Sequence, residues 1–367
     1  MATTNANQLT GPWPDVAIPP GEILADTLEA KRISQAELAK RTGRPVQALN
    51  EIVKGKKEIT PETAMELERV LGTPAYIWLN LERDYRYNKA RLADLTRLGE
   101  QVGEARAYPY AEMARLGWVK HTADPLERVR ELLRFFSVAR LSAVPLTQPV
   151  AYRKSRRRDA SPQALAAWLR KGELEAAEVK TQPFDKRKLR DALPRLREMT
   201  QWPPAKFHQP LRDLCANCGV ALAFVPHLPG THANGAVRWL RDDRVLVQLS
   251  VLRRYDDIFW FSLFHEVAHP LLHGRKQVFV EVAPGEREQE EVRKEEEADR
   301  FATDALLSPA EFRRLAAAGP RFSSAQLVQF AGRVGVAPSI LVGRLHHEGL
   351  LPRTHLNGLR GRVVIGG

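Results

Sequence analysis

Cysteine is almost absent from the sequence. Only Cys215 and Cys218, in the segment CANC, carry thiols among 367 residues, which excludes the disulfide framework typical of small secreted domains. A single CxxC pair needs a second pair of ligands to close a structural zinc site, and the sequence offers none. We therefore expect two buried structural thiols, in a protein suited to the reducing cytoplasm.

Long apolar runs are missing as well. No stretch reaches the ~18 consecutive apolar residues that a membrane-spanning helix needs. The opening residues, MATTNANQLTGPWPD, also lack the positive region and the apolar stretch of a secretory signal. These absences predict a cytoplasmic protein that has no membrane partner.

Acidic residues are outnumbered by basic ones. Lys and Arg number 56 against 44 Asp and Glu, which gives a formal net charge of +12. Such an excess favours a polyanionic partner, and nucleic acid is the first candidate. The hydrophobic fraction of 44% is sufficient for packed cores, and the length predicts two or three domains at about 100–200 residues each.

Signals for helix starts are dense in the N-terminal part of the chain. Ser34 lies three residues ahead of Glu37, the spacing of a capping box, and Thr60 precedes Pro61 as a second cap. Between the caps, apolar residues recur at helical spacing around RTGRP, where Gly43 permits a tight turn. Two short helices joined in this way predict a helix-turn-helix motif.

The second helix of such a motif normally enters the major groove of DNA by its N-terminal residues. Here that end carries Arg44, and both Gln47 and Asn50 can hydrogen-bond to base edges. Lys54 and Lys56 follow in KGKKE, where they can contact phosphates. The pattern predicts binding of duplex DNA, and the alternative is an ordinary helical bundle with a lysine-rich turn.

The surrounding segment, from PPGEILADTLEAKRISQAELAKRTGRPVQALNEI to TPAYIWLNLERDY, resembles HigA-type antitoxins of the Xre/Cro helix-turn-helix family. The resemblance implies an all-α domain that binds operator DNA, represses transcription and forms a homodimer. Pro45 and Val46 stand where the family often has a hydroxyl cap and a polar base-reading residue. The operator sequence therefore does not follow from the resemblance.

A β-hairpin is predicted in GAVRWLRDDRVLVQLS. Val237 and Trp239 alternate with Arg238, the turn falls at 241–243, and a second β-rich run follows. The hairpin comes shortly before a segment with two histidines. We expect it to offer the sheet edge that holds an extended peptide by main-chain hydrogen bonds.

The segment FWFSLFHEVAHPLLHG places two histidines four residues apart. On a helix, His265 and His269 lie one turn above each other and can converge on one metal ion. Glu266 lies about 100° further round, where it can act as a base toward water without binding the ion itself. The HExxH spacing predicts a zinc hydrolase, and the alternative is a buried helix with two hydrogen-bonded histidines.

A third ligand is predicted in EREQEEVRKEEEADRFATDALLSP, because catalytic zinc typically has three protein ligands and one open position. On a helical wheel, Glu295 shares an inward stripe with Ala298 and Ala302, whose small side chains permit close helix packing. Glu297 falls on the opposite side and should face water. Asp299, one turn on from Glu295, can accept a hydrogen bond from a ligating histidine and set its tautomer.

HEVAH and EEADRFATDALLSP together resemble the ImmA/IrrE metallopeptidases, whose hallmark is HExxH followed by an E-x-x-A-D/N-x-F-A helix. The resemblance places Glu295 at the start of the second motif. It implies an α+β, gluzincin-like domain with Zn²⁺ as cofactor. The implied substrate is a regulatory protein, either a repressor or a toxin–antitoxin partner, that is cleaved in response to stress or mobile-element signals. From the residues alone, His273 in LLHG is the rival third ligand.

The sequence thus predicts a multidomain regulator with four parts: a helix-turn-helix domain at 1–90, a helical connector at 91–150, a zinc peptidase domain at 151–320 and a helical extension at 321–367. The basic run in YRKSRRRD is a solvated face or a phosphate contact. The rival interpretation is an antitoxin-like repressor whose metal site is a sensor or an inactive relic. A purely structural zinc module would need a fourth ligand, for which the sequence offers no strong candidate.

Overall fold

The computed structural model describes residues 14–148, 161–250, 254–273, 279–282, 289–317 and 322–363. The chain divides into two compact units, Met1–Val102 and Gly103–Gly367. The predicted boundary at residue 90 falls inside a long helix, Ala75–Glu100, and the expected connector 91–150 is shared between the two units. The basic run in YRKSRRRD lies outside the described residues.

The first unit consists of five helices in its described part. Its helices are α1 Pro20–Ala30, α2 Gln35–Thr42, α3 Val46–Val53, α4 Pro61–Leu71 and α5 Ala75–Glu100. They enclose one core, which includes the buried side chains of Leu24, Leu28, Leu38, Leu49, Ile52, Leu67 and Trp78. Gly43 ends α2 with φ of 69°, a left-handed conformation that glycine adopts without strain. The predicted helix-turn-helix is therefore formed by α2 and α3.

Both predicted helix caps are present in the first unit. Ser34 Oγ accepts a hydrogen bond from the Glu37 amide at 3.1 Å, and Thr60 Oγ1 accepts one from the Thr63 amide at 3.3 Å. The predicted capping box at Ser34 is only half formed, because the Glu37 carboxylate accepts from Arg41 Nε at 2.8 Å instead. An opposite charge one turn away competes with the backbone amide for that carboxylate.

Helices open the second unit and lead to its sheet. They are α6 Val102–Ala105, which spans the boundary between the units, α7 Tyr110–Arg115, α8 Pro125–Phe136, α9 Val144–Thr147, α10 Pro162–Glu178, α11 Lys186–Glu198 and α12 Pro204–Asn217. Short 3-10 helices occupy Leu141–Ala143, Met199–Gln201 and, near the C-terminus, Asn357–Leu359. The chain leaves α12 through Gly219, whose φ is 84°, and enters the first strand directly.

The strands are β1 Val220–Val225, β2 Ala233–Arg241, β3 Arg244–Ser250, β4 Arg254–Tyr255, β5 Phe279–Val282 and β6 Arg362–Val363. They form a small mixed sheet in the order β1-β3-β2-β5 and a separate β4-β6 pair. In the larger sheet β3 runs parallel to β1 and antiparallel to β2. β5 adds to the other side of β2 in antiparallel orientation.

The predicted hairpin is confirmed, because β2 and β3 pair across the two-residue turn between Arg241 and Arg244. The expectation that this hairpin offers an open edge is wrong. β3 lies between β1 and β2, and β2 lies between β3 and β5, so the outer positions among the described strands belong to β1 and β5. β2 lies inside the sheet because it pairs with β5, which follows the histidine-containing helix in the sequence. The hairpin sequence alone does not predict this pairing, because the two strands are distant along the chain.

Helices also close the second unit: α13 Asp256–Leu272, α14 Gln289–Leu306, α15 Pro309–Ala316, α16 Ser324–Val334 and α17 Pro338–His347. α13 packs against α14, α17, β2 and β3, and most of its side chains are buried. It runs through Pro270 without interruption. At its N-terminal end, Arg360 holds the buried Asp257 carboxylate through bonds of 2.8 and 3.0 Å, which anchors the C-terminal segment to this helix.

Within the described residues, no individual helix is both long enough and apolar enough to cross a bilayer. The helices Ser324–Val334 and Pro338–His347 meet the length and composition requirement only as a pair, across a bend of 110°.

Candidate metal centre and nucleic-acid interface

Three predicted metal ligands meet inside the second unit. α13 supplies His265 and His269, α14 supplies Glu295, and one ligand atom from each lies within 4.8 Å of the other two. The two Nε2 atoms are 3.2 Å apart, and His265 Nε2 is 3.3 Å from Glu295 Oε2. All three side chains are buried. The four-residue spacing stacks the histidines on successive turns, so a single point is within reach of both.

Small side chains let α14 approach the histidine helix. Ala298 and Ala302 are both fully buried on the face of α14 that also carries Glu295. Asp299, one residue beyond Ala298, has a largely exposed side chain, yet its Oδ1 lies 2.8 Å from His265 Nδ1. A hydrogen bond from Nδ1–H to this carboxylate directs Nε2 toward the other ligands.

The Glu266 side chain is buried against the middle of the sheet. A Cβ placed on Gly235 in β2 would lie only 2.2 Å from Glu266 Oε1. The carboxylate therefore packs directly on the β2 backbone, at a position where only glycine leaves room. The sequence analysis did not single out Gly235, although an isolated glycine inside a strand pattern is a known sign that another group approaches the backbone closely.

His273 does not belong to the cluster of converging ligand atoms found among the described residues. Its Nε2 lies 3.1 Å from the carbonyl oxygen of Lys294 on α14. Burial lowers the pKa of the His273 imidazole, and because a carbonyl oxygen can only accept, Nε2–H is the donor in this contact. Glu297 lies outside the cluster too: its half-exposed carboxylate is 3.8 Å from His273 Nδ1.

The two cysteines are buried and unpaired by disulfide. Burial raises the pKa of the Cys215 thiol to about 12, and it raises the pKa of Cys218 as well. Because the thiolate is the reactive and metal-binding form, this pair is poorly suited to either role at neutral pH.

The predicted DNA-contacting face lies on α3 and the turn after it. Gln47, Lys54 and Lys56 are exposed, and Asn50 is half-buried. The opposite face of α3 is held in the core by buried leucine and isoleucine side chains. Gln47 and Asn50 thus lie on a helix whose opposite face is packed in the core, and Lys54 and Lys56 lie in the turn that follows it.

Arg44 is already engaged within the first unit. Its guanidinium is bound to the Glu66 carboxylate of α4, and both side chains are about three-quarters buried. Gln47 is also in contact with an acidic neighbour, since its Nε2 lies 3.3 Å from Glu51 Oε1 one turn along α3. The sequence analysis did not anticipate the Arg44–Glu66 pair, because the two residues are separated by 22 positions.

Comparison with known proteins bears on the first unit. A helix-turn-helix family profile matches residues 24–78. The chain is 30% identical over 84 residues to the uncharacterized HTH-type transcriptional regulator YddM of Escherichia coli K12, an alignment that covers 23% of this chain and 89% of that protein. It is 40% identical over 70 residues to virulence-associated protein I of Dichelobacter nodosus, covering 19% of this chain and 65% of that protein.

Solved structures that are similar to part of this chain include two of the HigA family. An addiction module antidote protein of the HigA family from Coxiella burnetii shares 34% identity, with a TM-score of 0.21, over 24% of this chain and 92% of its own. The Pseudomonas aeruginosa antitoxin HigA with its higBA promoter also shares 34% identity, with a TM-score of 0.21, over 24% and 91%. Through its first unit, an Xre-type domain, the chain belongs to the helix-turn-helix family.

Proposed function

We propose that this protein is a DNA-binding transcriptional regulator, antitoxin-like in its first unit, that carries a zinc-dependent peptidase centre in its second. The observation that carries the proposal is the convergence of His265, His269 and Glu295 on one point, beside the buried Glu266. These residues belong to a chain whose first unit is a helix-turn-helix domain.

Duplex DNA is the proposed partner of the first unit. The family match, the regulator YddM as a relative and the net charge of +12 all support it. We propose that Gln47 and Asn50 hydrogen-bond to base edges and that Lys54 and Lys56 neutralise phosphates. Arg44 is proposed to hold α3 against α4 through Glu66 and to reach DNA only by exchanging that partner. We further propose that the protein binds its operator as a homodimer.

The donor set of the second unit fits zinc. Two imidazole nitrogens and one carboxylate oxygen are the ligands of many catalytic zinc sites, which keep a fourth position for water or substrate. His265, His269 and Glu295 offer this set from buried positions, and the Asp299 carboxylate orients the first histidine. The residues present therefore match the cofactor that the HExxH spacing suggests.

The proposed reaction is hydrolysis of a peptide bond. When bound, zinc is a Lewis acid that polarises a carbonyl group and makes water easier to deprotonate. Glu266 is the proposed general base, because it follows His265 in sequence and its carboxylate is shielded from bulk water against the β2 backbone at Gly235. The proposed substrate is a regulatory protein, a repressor or a toxin–antitoxin partner, since the same chain has the DNA-binding domain of a regulator.

A second candidate is an antitoxin-like repressor whose metal site is a sensor or an inactive relic. It is favoured by the similarity of the first unit to the regulator YddM, of which this chain covers 89%. In this second candidate the protein still binds DNA and the three ligand residues still bind the metal, but no peptide bond is hydrolysed.

One experiment on the full-length protein separates the two. Zinc content, digestion of fluorescent casein and retardation of genomic DNA fragments are measured before and after treatment with a chelator. Zinc-dependent digestion together with chelator-resistant DNA binding supports the proposal. Stoichiometric zinc and DNA binding without any digestion of casein, or of co-expressed regulators of the same genome, supports the second candidate.

A further inference from the structure

A cavity of about 390 Å³ lies in the second unit between α13, α14 and α17. The three metal-ligand residues do not line it, and neither does Glu266. Its volume falls within the range of ~300–1,000 Å³ that is usual for small-molecule sites. It is therefore distinct from the ligand cluster, although Asp299, which contacts His265, also lines it.

The wall of the cavity is largely apolar. Each of the three helices contributes to it, with Phe261 from α13, Leu306 from α14 and Ile340 from α17. Leu306 and Ile340 are otherwise buried. Such a wall suits an aliphatic or aromatic group.

The polar residues that line the cavity carry charges of both signs. Asp299 on α14 has a side chain that is 57% exposed, and one of its oxygens faces His265. Arg344 on α17 also lines the cavity, where its Nη2 binds Glu348 at 2.8 Å. The Arg344 guanidinium stacks over the Phe312 ring at 4.7 Å, which fixes its position.

The charged side chains that line the cavity all have partners within the protein, Asp299 with His265 and Arg344 with Glu348. Asp257, which also lines it, is neutralised by Arg360 through two hydrogen bonds. His347 follows on α17 on the same side as Arg344. Asp299 on α14 and Arg344 on α17 offer one charge of each sign, which favours a ligand that carries both an ammonium and a carboxylate group.

We propose that this cavity binds a free apolar α-amino acid. The ligand's carboxylate is held by Arg344 and His347, its ammonium by Asp299, and its side chain by the apolar wall. The site does not require zinc. Because Asp299 also accepts a hydrogen bond from His265, the bound ammonium lies one hydrogen bond away from a metal ligand, and amino-acid binding is expected to change the affinity for zinc.

The test is isothermal titration calorimetry of the full-length protein with valine, leucine, isoleucine, methionine, phenylalanine and tryptophan. At least one is expected to bind with one-to-one stoichiometry. For a phenylalanine response, the matched compounds are phenylalaninamide, which lacks the carboxylate, and 3-phenylpropanoate, which lacks the ammonium. Both are expected to bind at least about tenfold more weakly. Absence of binding by all six amino acids at millimolar concentration, or equal binding of either matched compound, overturns the proposal.

Variants connect the binding to this cavity. Arg344→Gln is expected to weaken binding at least about tenfold, whereas Arg353→Gln, at an exposed position outside the cavity, is the matched control. Thr303→Trp places an indole in the cavity from a half-buried position and is expected to abolish binding while the circular dichroism spectrum is unchanged. Unaltered affinity in folded Thr303→Trp protein would locate the ligand elsewhere and overturn the assignment.

Discussion

The residues of the proposed DNA-binding surface in the first unit lie close together in the sequence, whereas those of the proposed metal centre in the second unit lie far apart. The proposed DNA contacts lie within one short helix and its following turn, from Gln47 to Lys56. The proposed metal centre joins His265 to an orienting carboxylate 34 positions later, and a strand that precedes α13 supplies the wall at Gly235. The first surface is thus a product of local structure, and the second depends on tertiary packing. Substitutions should therefore act on one unit and leave the other intact.

The largest effect is expected from removal of a metal ligand. His265→Ala, His269→Ala and Glu295→Ala should each reduce bound zinc from about one equivalent to background, because a three-ligand site that loses one donor loses most of its affinity. Zinc is measured by mass spectrometry of the purified full-length proteins, and DNA binding should be unchanged.

Glu297→Ala is the matched control for these three variants, because this carboxylate lies two residues from Glu295 and outside the ligand cluster. It should retain the metal. Loss of zinc from Glu297→Ala combined with retention by Glu295→Ala would contradict the assigned orientation of α14.

A large effect confined to turnover is expected from Glu266→Gln. This change preserves the size and shape of the side chain and removes the base, so zinc should stay bound while digestion of casein falls by about 10²–10⁴-fold. The two quantities are measured on the same preparation. Full activity in this variant would eliminate Glu266 as the base, even with the ligands assigned correctly.

Asp299→Ala should have an intermediate effect on the metal. The loss of a carboxylate that orients a ligating histidine typically weakens metal binding by about 10–100-fold, so zinc should be retained but exchange more readily with a competing chelator. Asp304→Ala, at an exposed position further along α14, is the control. An unchanged zinc affinity in Asp299→Ala would mean that the 2.8 Å contact with His265 has no role in metal binding.

Substitutions on α3 should change DNA binding and leave zinc content unchanged. Gln47→Ala or Asn50→Ala should relax sequence preference by about 1–3 kcal/mol at one base pair. Lys54→Ala or Lys56→Ala should instead weaken binding to all sequences and reduce the salt dependence by about one phosphate contact. Competition assays at several salt concentrations distinguish the two results. Equal, sequence-independent losses for all four variants would argue against base contacts by α3.

The smallest effect is expected at the cysteines. Burial raises the pKa of Cys215 to about 12, so at pH 8 the thiolate is scarce in the folded protein and becomes abundant only on unfolding. Thiol titration should therefore proceed slowly in native buffer and rapidly in denaturant. Rapid reaction of the native protein would show that the second unit is more open around α12 than its packing indicates.

Several features of the fold were predictable because neighbouring residues determine them. The caps at Ser34 and Thr60, the glycine turn before α3 and the β2–β3 hairpin all arise from residues within a few positions of one another. The features that do not follow from the sequence are distant pairings. The open edge expected for the hairpin is wrong because β5 pairs with β2. The pairing of Arg44 with Glu66 is not predictable because Glu66 lies in another helix.

By itself, the sequence determined which side chains could take part in each function. Helical periodicity stacks His265 over His269 whatever surrounds them, and the same periodicity exposes Gln47 while it buries the apolar face of α3. Helical periodicity also singles out Glu295 among many carboxylates. Tertiary structure decided that α14 packs on α13 at Ala298, which brings Glu295 to the histidines. It also decided that Glu266 packs against Gly235 and that a cavity remains between α13, α14 and α17. These outcomes depend on how separate elements pack together, and packing is a property of the whole unit.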